Sequence, residues 1–529
     1  MTGSAPTHSV FAAEAMVSTV DSLATQAGIA MLRRGGSAVD AAIAANAVLT
    51  VTLPNQCGIG GDLFALVQPA RGPVESLVAA GRAGSGADPE RLRVEGRTRM
   101  PEDANPSSIT IPGCVDGWLA LHERHGRIAM DELLAPAVRY ATEGFPASRY
   151  FAEAVTRRAP TSPDAAAMTV DGRLDDGMRV TRPGAARVLD ALGRQGRSGV
   201  FDGEFGRGLL AIGDGEFSEA DLAVNQAEWG EAASLDVWGT RLWTAPPPSQ
   251  GYQTLAAAWI AEQLGLDSDP SDPVWAHLLI EAMRQAAYDR PRVLFDGADA
   301  AGLIDPQRLR PRVAAIDASH AAELSDSYRQ GGTTYLCVVD SEGMAVSLIQ
   351  SNCMSFGSGL VAGATGIWLH NRGIGFGLEP ESPNEYRPGR RPAHTLAPAL
   401  VTGTDGTFRA ALGTRGGDSQ PQVVLQLLAR ILVSGQRPDE ALAAGRWILR
   451  GTGDTTSFNT WGFGGQVRVG VEGQAPAGWL PGLEKRGHAV FTEPAFSHAF
   501  GHAQMIVSDG STLMGGADPR ATAEAAAGY

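Results

Sequence analysis

Cysteine is scarce in this chain. Cys57, Cys114, Cys337 and Cys353 are the four among 529 residues, and no two stand in CxxC spacing. That excludes a disulfide frame and a cysteine-built zinc site, and reads as free thiols in a reducing compartment. No run of about 20 apolar residues occurs, so no membrane-spanning helix is expected. The start, Met1 to Val10, lacks a basic segment leading into an apolar one. No signal peptide is expected there, and the reading is a soluble cytoplasmic protein. Positive charge is in deficit: Lys+Arg 43 against Asp+Glu 58 leaves a net charge of −15. An acidic surface argues against nucleic acid and anionic membranes as partners. The basic run Arg387-Pro388-Gly389-Arg390-Arg391 is too short to alter this, and reads as a loop with a local anchoring role. Internal repeats, low-complexity tracts and a clear interdomain linker are also missing.

What is present is enough apolar material, 43% of the chain, for a large buried core. Length alone would allow roughly three or four domains. Leu23 to Arg34 reads as an amphipathic helix, stopped by Gly35-Gly36. Ser37 caps a second helix from Ala38 to Val48, with Asp40 in its first turn. Asp62 to Val67 reads as a strand after a glycine-rich turn. Residues 81 to 110, rich in Gly, Pro and charge, read as a long exposed loop. Trp118–His125, Asp131–Thr142, Tyr252–Leu264, Trp275–Tyr288 and Pro421–Val433 read as helices. Thr334–Val339 and Ala345–Gln350 read as strands joined by a turn. Arg409–Leu412, Gln466–Val469 and Ala503–Val507 read as further strands. The alternation fits a mixed α/β protein.

Gly331-Gly332-Thr333-Thr334, directly before a strand-like run, is the most informative stretch. A threonine released as a new N-terminus carries a nucleophilic hydroxyl and its own base, the α-amine. That amine has a reference pKa of about 7.7–8.0, so a useful fraction is unprotonated near neutrality. The small glycines let the backbone distort for attack of the Thr333 hydroxyl on the Gly332 carbonyl. By itself the tetrapeptide is more often a turn entering a strand. The surrounding chain decides.

Several segments together resemble the gamma-glutamyltransferase family of N-terminal-nucleophile hydrolases. They are Met16-Val17-Ser18-Thr19-Val20-Asp21, Gly35-Gly36-Ser37-Ala38-Val39-Asp40-Ala41-Ala42, Gly58-Ile59-Gly60-Gly61-Asp62, Thr333-Thr334, Phe356-Gly357-Ser358-Gly359, Arg391-Pro392, Gly413-Thr414-Arg415-Gly416-Gly417 and Gly516-Ala517-Asp518-Pro519-Arg520. Their order and spacing span nearly the whole chain. The resemblance implies an α+β fold, a four-layer αββα sandwich. It implies self-cleavage between Gly332 and Thr333 into a large subunit, 1–332, and a small subunit, 333–529, that stay in one intertwined domain.

The resemblance also assigns residues. Thr333 matches the nucleophile, and Thr334 points the other way along the strand. Ser351 matches a threonine that orients the nucleophile; it keeps the hydroxyl but not the methyl. Gly416 and Gly417 match the glycines whose N–H groups form the oxyanion hole. Arg82 matches the arginine that grips the substrate carboxylate. His394 and Thr395 replace two serines near that carboxylate, and each can in principle donate a hydrogen bond. Cys353, Arg372 and Gly375 stand where gamma-glutamyltransferases have an asparagine, a glutamine and an aspartate that hold the α-amino end of the glutamyl group. A cation has replaced the partners of an ammonium, which Arg372 would repel.

The chain therefore reads as a self-processing hydrolase of small amides whose acyl part carries a carboxylate, in a branch with oxamate-type amidohydrolases and acylases. The short stretch from Arg372 to His394 implies no long lid over the site. The alternatives are a true gamma-glutamyl hydrolase or transpeptidase acting on glutathione-like compounds, a natural-product hydrolase releasing an oxalyl-type fragment by C–C cleavage, and an inert uncleaved scaffold. A Cys353 nucleophile lacks an obvious histidine partner. His498 and His502 have i,i+4 spacing, but Phe500-Gly501 argues against a helix, and neither a metal nor a cofactor is expected. Transfer to an amine is left open beside hydrolysis, as is homo-oligomer formation.

Overall fold

The computed structural model describes residues 8–102, 104–324, 331–451 and 467–529. Its centre is the strand Gly332–Val339, buried along its whole length. Leu336 and Val338 enter one apolar core, while Tyr335, Cys337 and Val339 enter another. Side chains alternate across a strand, so a strand apolar on both faces must be covered on both. A second sheet covers one face and helices the other.

The first sheet runs Ala525–Gly528, Met16–Thr19, Gly332–Val339, Ala345–Cys353, Asp62–Gln68, Glu75–Ala79, Ala227–Glu231, all antiparallel. The second runs Val10–Ala12, Leu513–Ala517, Ala503–Ser508, Phe408–Thr414, Ala399–Gly403, Thr240–Thr244, Ala233–Val237, again antiparallel. Between them Phe64, Tyr335, Ile349, Leu400, Ala411 and Ile506 form the inner core. The helices Ser22–Arg33 and Ala38–Thr52 cover the first sheet, and Tyr252–Gln263, Pro273–Ala287 and Gln420–Leu432 the second. The result is the αββα order of an α+β sandwich. Each sheet takes strands from both sides of residue 332, so the two segments form one packing unit.

Helix ends follow local chemistry. The Asp21 side chain accepts the Leu23 N–H at 2.8 Å and starts the first helix. Ser37 and Asp40 form a reciprocal capping box at the second, and Asp40 also receives the Arg127 N–H. That helix continues four residues past Val48 because every residue through Thr52 is buried. The expected loop at 81–110 is corrected. Its two ends are tucked into the protein, with Ala83, Ser107, Ser108 and Ile109 buried, and it contains the helix Pro89–Val94. Gly81 is required there, since a Cβ would stand 1.8 Å from the Ile111 carbonyl oxygen. The strand expected at Gln466–Val469 is found as Val467–Glu472, Gln466 itself lying outside the described residues. Among the described residues no helix is long and apolar enough to cross a membrane.

One clamp fixes the chain upstream of Thr333. His277 Nε2 donates to the Asp317 carbonyl at 2.9 Å, leaving Nδ1 to accept from His488 Nε2 at 2.8 Å. Glu281 accepts the Ala322 N–H at 2.9 Å and Arg284 holds the Ala322 carbonyl at 3.0 Å. His277, Glu281 and His488 bring ligand-type atoms within 4.8 Å of one another. Each is already committed to protein partners, which makes the group a clamp. His498 and His502 do not share a helix. The turn His498–Phe500 ends at Gly501, φ 87°, and the two rings bond to each other at 2.8 Å.

Burial, aided by His277 and Arg284, pushes His488 down to about 3. Unfolded, it titrates near 6.5. Between those values the unfolded chain binds more protons, so this contribution is fully present above about pH 6.5 and is lost as pH falls toward 3. Denaturant unfolding should show a clearly lower midpoint at pH 4.5 than at pH 7. His488→Gln should flatten that slope by up to about 1.4 kcal/mol per pH unit. Equal midpoints would contradict this account.

Candidate active site

The pairing of Gly332–Val339 with Ala345–Cys353 slips at its first residues. Gly332 faces Cys353, Thr334 faces Gln350, and Thr333 sits in the irregularity between them. A bulge re-aims a side chain. Here the Thr333 hydroxyl donates to Ser351 Oγ at 3.2 Å. Ser351 Oγ also accepts the Cys353 N–H at 2.8 Å and gives its own proton to the Gly332 carbonyl oxygen. Ser351 thus links the hydroxyl of Thr333 to the carbonyl preceding it. Thr334 turns the other way, toward the Gln350 carbonyl and the Cys57 thiol, which burial pushes up to about 12.

Two glutamines complete the surroundings of Thr333. Its N–H donates to Gln56 Oε1 at 3.2 Å, and Gln420 Nε2 approaches its hydroxyl at 3.4 Å. Gln420 heads the helix Gln420–Leu432, directly after a loop that turns at Gly416 and Gly417, with φ 140° and 59°. Successive positive φ values suit glycine alone. The loop is fastened from outside. Gln250 Nε2 donates to the Thr395 carbonyl at 3.0 Å and the Gly417 carbonyl at 2.8 Å. Arg290 holds Gln250 Oε1 at 3.0 Å and forms a buried pair with Asp418 at 2.9 Å.

Asp62, fully buried, lies opposite Ser351 in the sheet. Oδ1 accepts the N–H groups of Gly81 at 3.0 Å and Gly113 at 3.2 Å. Oδ2 faces His394 Nε2 at 3.1 Å and His370 Nδ1 at 3.3 Å. Burial opposes its ionisation, but the two imidazoles outweigh burial and hold the carboxyl well below the usual range. Burial, helped by Arg372, pushes His394 down to about 3. A neutral ring then donates Nε2–H to Asp62, and Nδ1 accepts the Leu396 N–H at 3.2 Å.

Both ring nitrogens of His394 are therefore used inside the protein. The ring ties Asp62 to the Leu396 N–H, one residue beyond Thr395. Thr395 Oγ1 accepts from Arg372 Nη1 at 3.2 Å, and both residues are buried. The Cys353 thiol packs against Ile374, while its N–H reaches Ser351. Cys353 adopts φ 73°, a left-handed conformation costly for a side chain with a Cβ.

Arg82 follows Gly81 and is partly open, with 26% of its side chain exposed. Gln226 Oε1 accepts its N–H at 3.1 Å, and Glu228 lies 3.6 Å from its guanidinium. Burial and neighbouring Arg391 lower its pKa. Arg391 binds Glu228, the Ala80 carbonyl at 2.9 Å and the Gln226 carbonyl at 3.1 Å, so the basic run does anchor locally. Gly375 has no room for a side chain, since a Cβ would stand 2.4 Å from the Ala393 carbonyl oxygen.

The structure thus links Gly332, Thr333, Ser351 and Cys353 directly, and places the loop at Gly416-Gly417 beside them through Gln420. Arg82, Arg372, His394 and Thr395 join through Asp62. Sequence reading missed Gln56, Asp62, Gln250 and Gln420. Asp62 carried a usable signal, a charged residue opening an otherwise apolar strand; the glutamines carried none.

The comparisons agree over the length of the chain. The family model described as Gamma-glutamyltranspeptidase matches residues 24–528. The oxamate amidohydrolase proenzyme of Klebsiella pneumoniae is 32% identical over 528 residues, covering 96% of this chain and 97% of that protein. The glutathione hydrolase-like YwrD proenzyme of Bacillus subtilis is also 32% identical, covering 97% and 98%. The crystal structure of a cephalosporin acylase from Bacillus halodurans superposes with a TM-score of 0.88 at 31% identity, covering 99% of this chain and 97% of that one. An N-terminal-nucleophile hydrolase fold, matched from end to end in this way, means that the chain belongs to the gamma-glutamyltranspeptidase family of hydrolases.

Proposed function

We propose that the protein is a precursor that cleaves itself between Gly332 and Thr333 and then hydrolyses small amides whose acyl part carries a carboxylate. The observation that carries this reading is Ser351, whose hydroxyl touches both the Thr333 hydroxyl and the Gly332 carbonyl oxygen. In the precursor it accepts the nucleophile's hydrogen bond while polarising the carbonyl under attack. The product is an ester that water opens, giving segments 1–332 and 333–529. The names of both 32%-identical relatives, each a proenzyme, support processing.

After cleavage the Thr333 nitrogen becomes an amine beside Gln56 and takes the hydroxyl proton as Thr333 attacks a substrate amide. The N–H groups of Gly416 and Gly417 serve the oxyanion, a contribution typically worth ~10²–10³ in rate per donor. Arg82, with Arg372 behind Thr395, receives the acyl carboxylate. A glutamyl ammonium would meet no aspartate at residue 375, a glycine with no space for a side chain, and an arginine at residue 372. Oxamate, named for the Klebsiella relative, is an amide whose acyl part is itself a carboxylate. Water is the expected acceptor.

Denaturing electrophoresis with N-terminal sequencing tests the first step. Wild-type protein should give two fragments, the smaller beginning at Thr333, and Thr333→Ala should give one full-length band. A fragment beginning elsewhere, or an active uncut chain, would sink the proposal. Mass spectrometry of the small fragment after incubation with carboxy-acyl amides should find the acyl group on Thr333. Turnover of a γ-glutamyl anilide as fast as of the best carboxy-acyl amide would refute the substrate class.

Asp62→Asn keeps the size but removes the charge that braces the Arg82 and Thr395 segments. KM for a carboxy-acyl amide should rise about tenfold, the scale of a lost charged hydrogen bond, and by more than kcat falls. A fall confined to kcat would show that Asp62 does not act through carboxylate binding.

A further inference from the structure

The clamp upstream of Thr333 holds a set of metal-ligand chemistry as well as hydrogen bonds. His277 and Glu281 stand four residues apart on the helix Pro273–Ala287, so they share one face. His488 meets them from late in the chain, just past the helix Trp479–Lys485. All three are buried, and one ligand-type atom from each lies within 4.8 Å of the other two. His488 Nε2 stands 2.8 Å from His277 Nδ1 and 3.9 Å from Glu281 Oε1. Among the described residues no other three histidine, cysteine or acidic side chains come together in this way.

The bonds around these atoms are those a metal site needs from its surroundings. A ligating imidazole gives its other N–H to a carbonyl or carboxylate, which fixes ring and tautomer. His277 Nε2 gives its proton to the Asp317 carbonyl at 2.9 Å, which leaves Nδ1 a lone pair facing the cluster. Glu281 Oε2 is held by the Ala322 N–H at 2.9 Å, while Oε1 faces His488. The backbone sets the two segments against each other, because the Ala321 N–H donates to the Arg486 carbonyl at 2.7 Å. The link between the imidazoles has to change. The His488 proton moves from Nε2 to Nδ1, the ring stays neutral, and both facing nitrogens then offer lone pairs. Zinc–nitrogen bonds of about 2.0–2.1 Å set tetrahedral ligands about 3.3 Å apart, so the rings separate by roughly half an ångström. Two nitrogens and one carboxylate oxygen suit zinc; calcium and magnesium take oxygen ligands. Burial lowers the pKa of both rings, which keeps them neutral near pH 7. Arg284 acts against the ion: its Nη1 donates to Glu281 Oε1 at 3.1 Å, and its charge opposes another cation. It also holds the Ala322 and Leu324 carbonyls, at 3.0 and 3.3 Å, so it stays fastened when a metal takes Oε1.

We propose that His277, Glu281 and His488 form a site for a divalent metal ion of the zinc type. His277 and Glu281 precede residue 332 and His488 follows it. A bound ion therefore ties the segments 1–332 and 333–529 to each other. The tie between fragments rests on cleavage before Thr333; the binding of metal does not.

Zinc titration tests it. Tag-free protein, stripped with a chelator and dialysed, is titrated with zinc by calorimetry at pH 7. Wild-type protein and the Thr333→Ala precursor should each bind one zinc per chain, and zinc should raise the thermal unfolding midpoint of both. His277→Gln and Glu281→Gln should each weaken binding by at least about tenfold, the scale on which even the outer partners of metal ligands act. Arg284→Met should tighten it, and His502→Gln, in the other histidine pair, should leave it unchanged. Several results would overturn the site: no zinc bound by the wild type, zinc bound without a rise in midpoint, binding lost in His502→Gln but kept in Glu281→Gln, or binding by the cut protein alone, which would place the ion at the new N-terminus. Where a ligand variant does not fold, the wild-type and Thr333→Ala titrations still decide. A wild-type chain that binds zinc but never cuts would leave the site standing and defeat the self-cleavage reading.

Discussion

A fully buried carboxylate holds the walls of this site. Asp62 is buried between strands and loops that come from five parts of the chain, and each of its oxygens has two partners. An uncompensated buried charge is ruinous, so every partner must be in place when the protein folds. Gly81 sets where Arg82 emerges, and His394 sets where Thr395 and Arg372 lie. Because Asp62 also pairs with Ser351 across the sheet, the loops bearing Arg82 and Thr395 and the strand bearing Ser351 share one origin. A charge in this place converts several flexible loops into one rigid frame.

Legibility in the sequence followed the physics that produces each feature. The strand was readable from Thr334 because Tyr335 to Val339 is an apolar run, and the helix start at Ser37 because capping is local, whereas the cap at Asp21 was not read. Residues 81–110 misled because glycine, proline and charge usually mean a surface loop. Here the glycines permit close backbone approach, as at Gly81 against the Ile111 carbonyl, and the charges pair with distant partners such as Glu216 and Glu385. Long-range pairing leaves no local trace. The same limit hid Gln56 and Gln420, each tied to Thr333 across many residues. His394 stands in the sequence as a lone histidine, and its partner Asp62 lies 332 residues away.

The electrostatics of the pocket argue for discrimination by charge. In a buried site an ammonium and a carboxylate are separated not by size but by the sign of the fixed charges they meet. Arg372 donates to Thr395 and, after burial, is the main influence that lowers the pKa of its neighbour His394. Glu228 offers the main local counterweight, but it is bound tightly to Arg391 and only loosely to Arg82. A substrate carboxylate can take the loose contact without dismantling the tight one. An arginine whose partners can be exchanged in this way is poised to bind an anion at little reorganisation cost.

Self-cleavage also asks the fold to survive the loss of a peptide bond in its central strand. Both sheets interleave segments from before and after residue 332, so neither half owns a complete sheet or a complete core. Separating them would expose the apolar layer between Tyr335, Phe64 and Leu400, a loss far larger than the entropy gained by freeing two chain ends. The break can therefore fall at the bulge, the one point of the strand where ladder bonding is already interrupted. The clamp at His277, Glu281 and Arg284 fixes the upstream chain as far as Leu324, eight residues before Gly332. A break just before Thr333 would leave every hydrogen bond of the clamp intact.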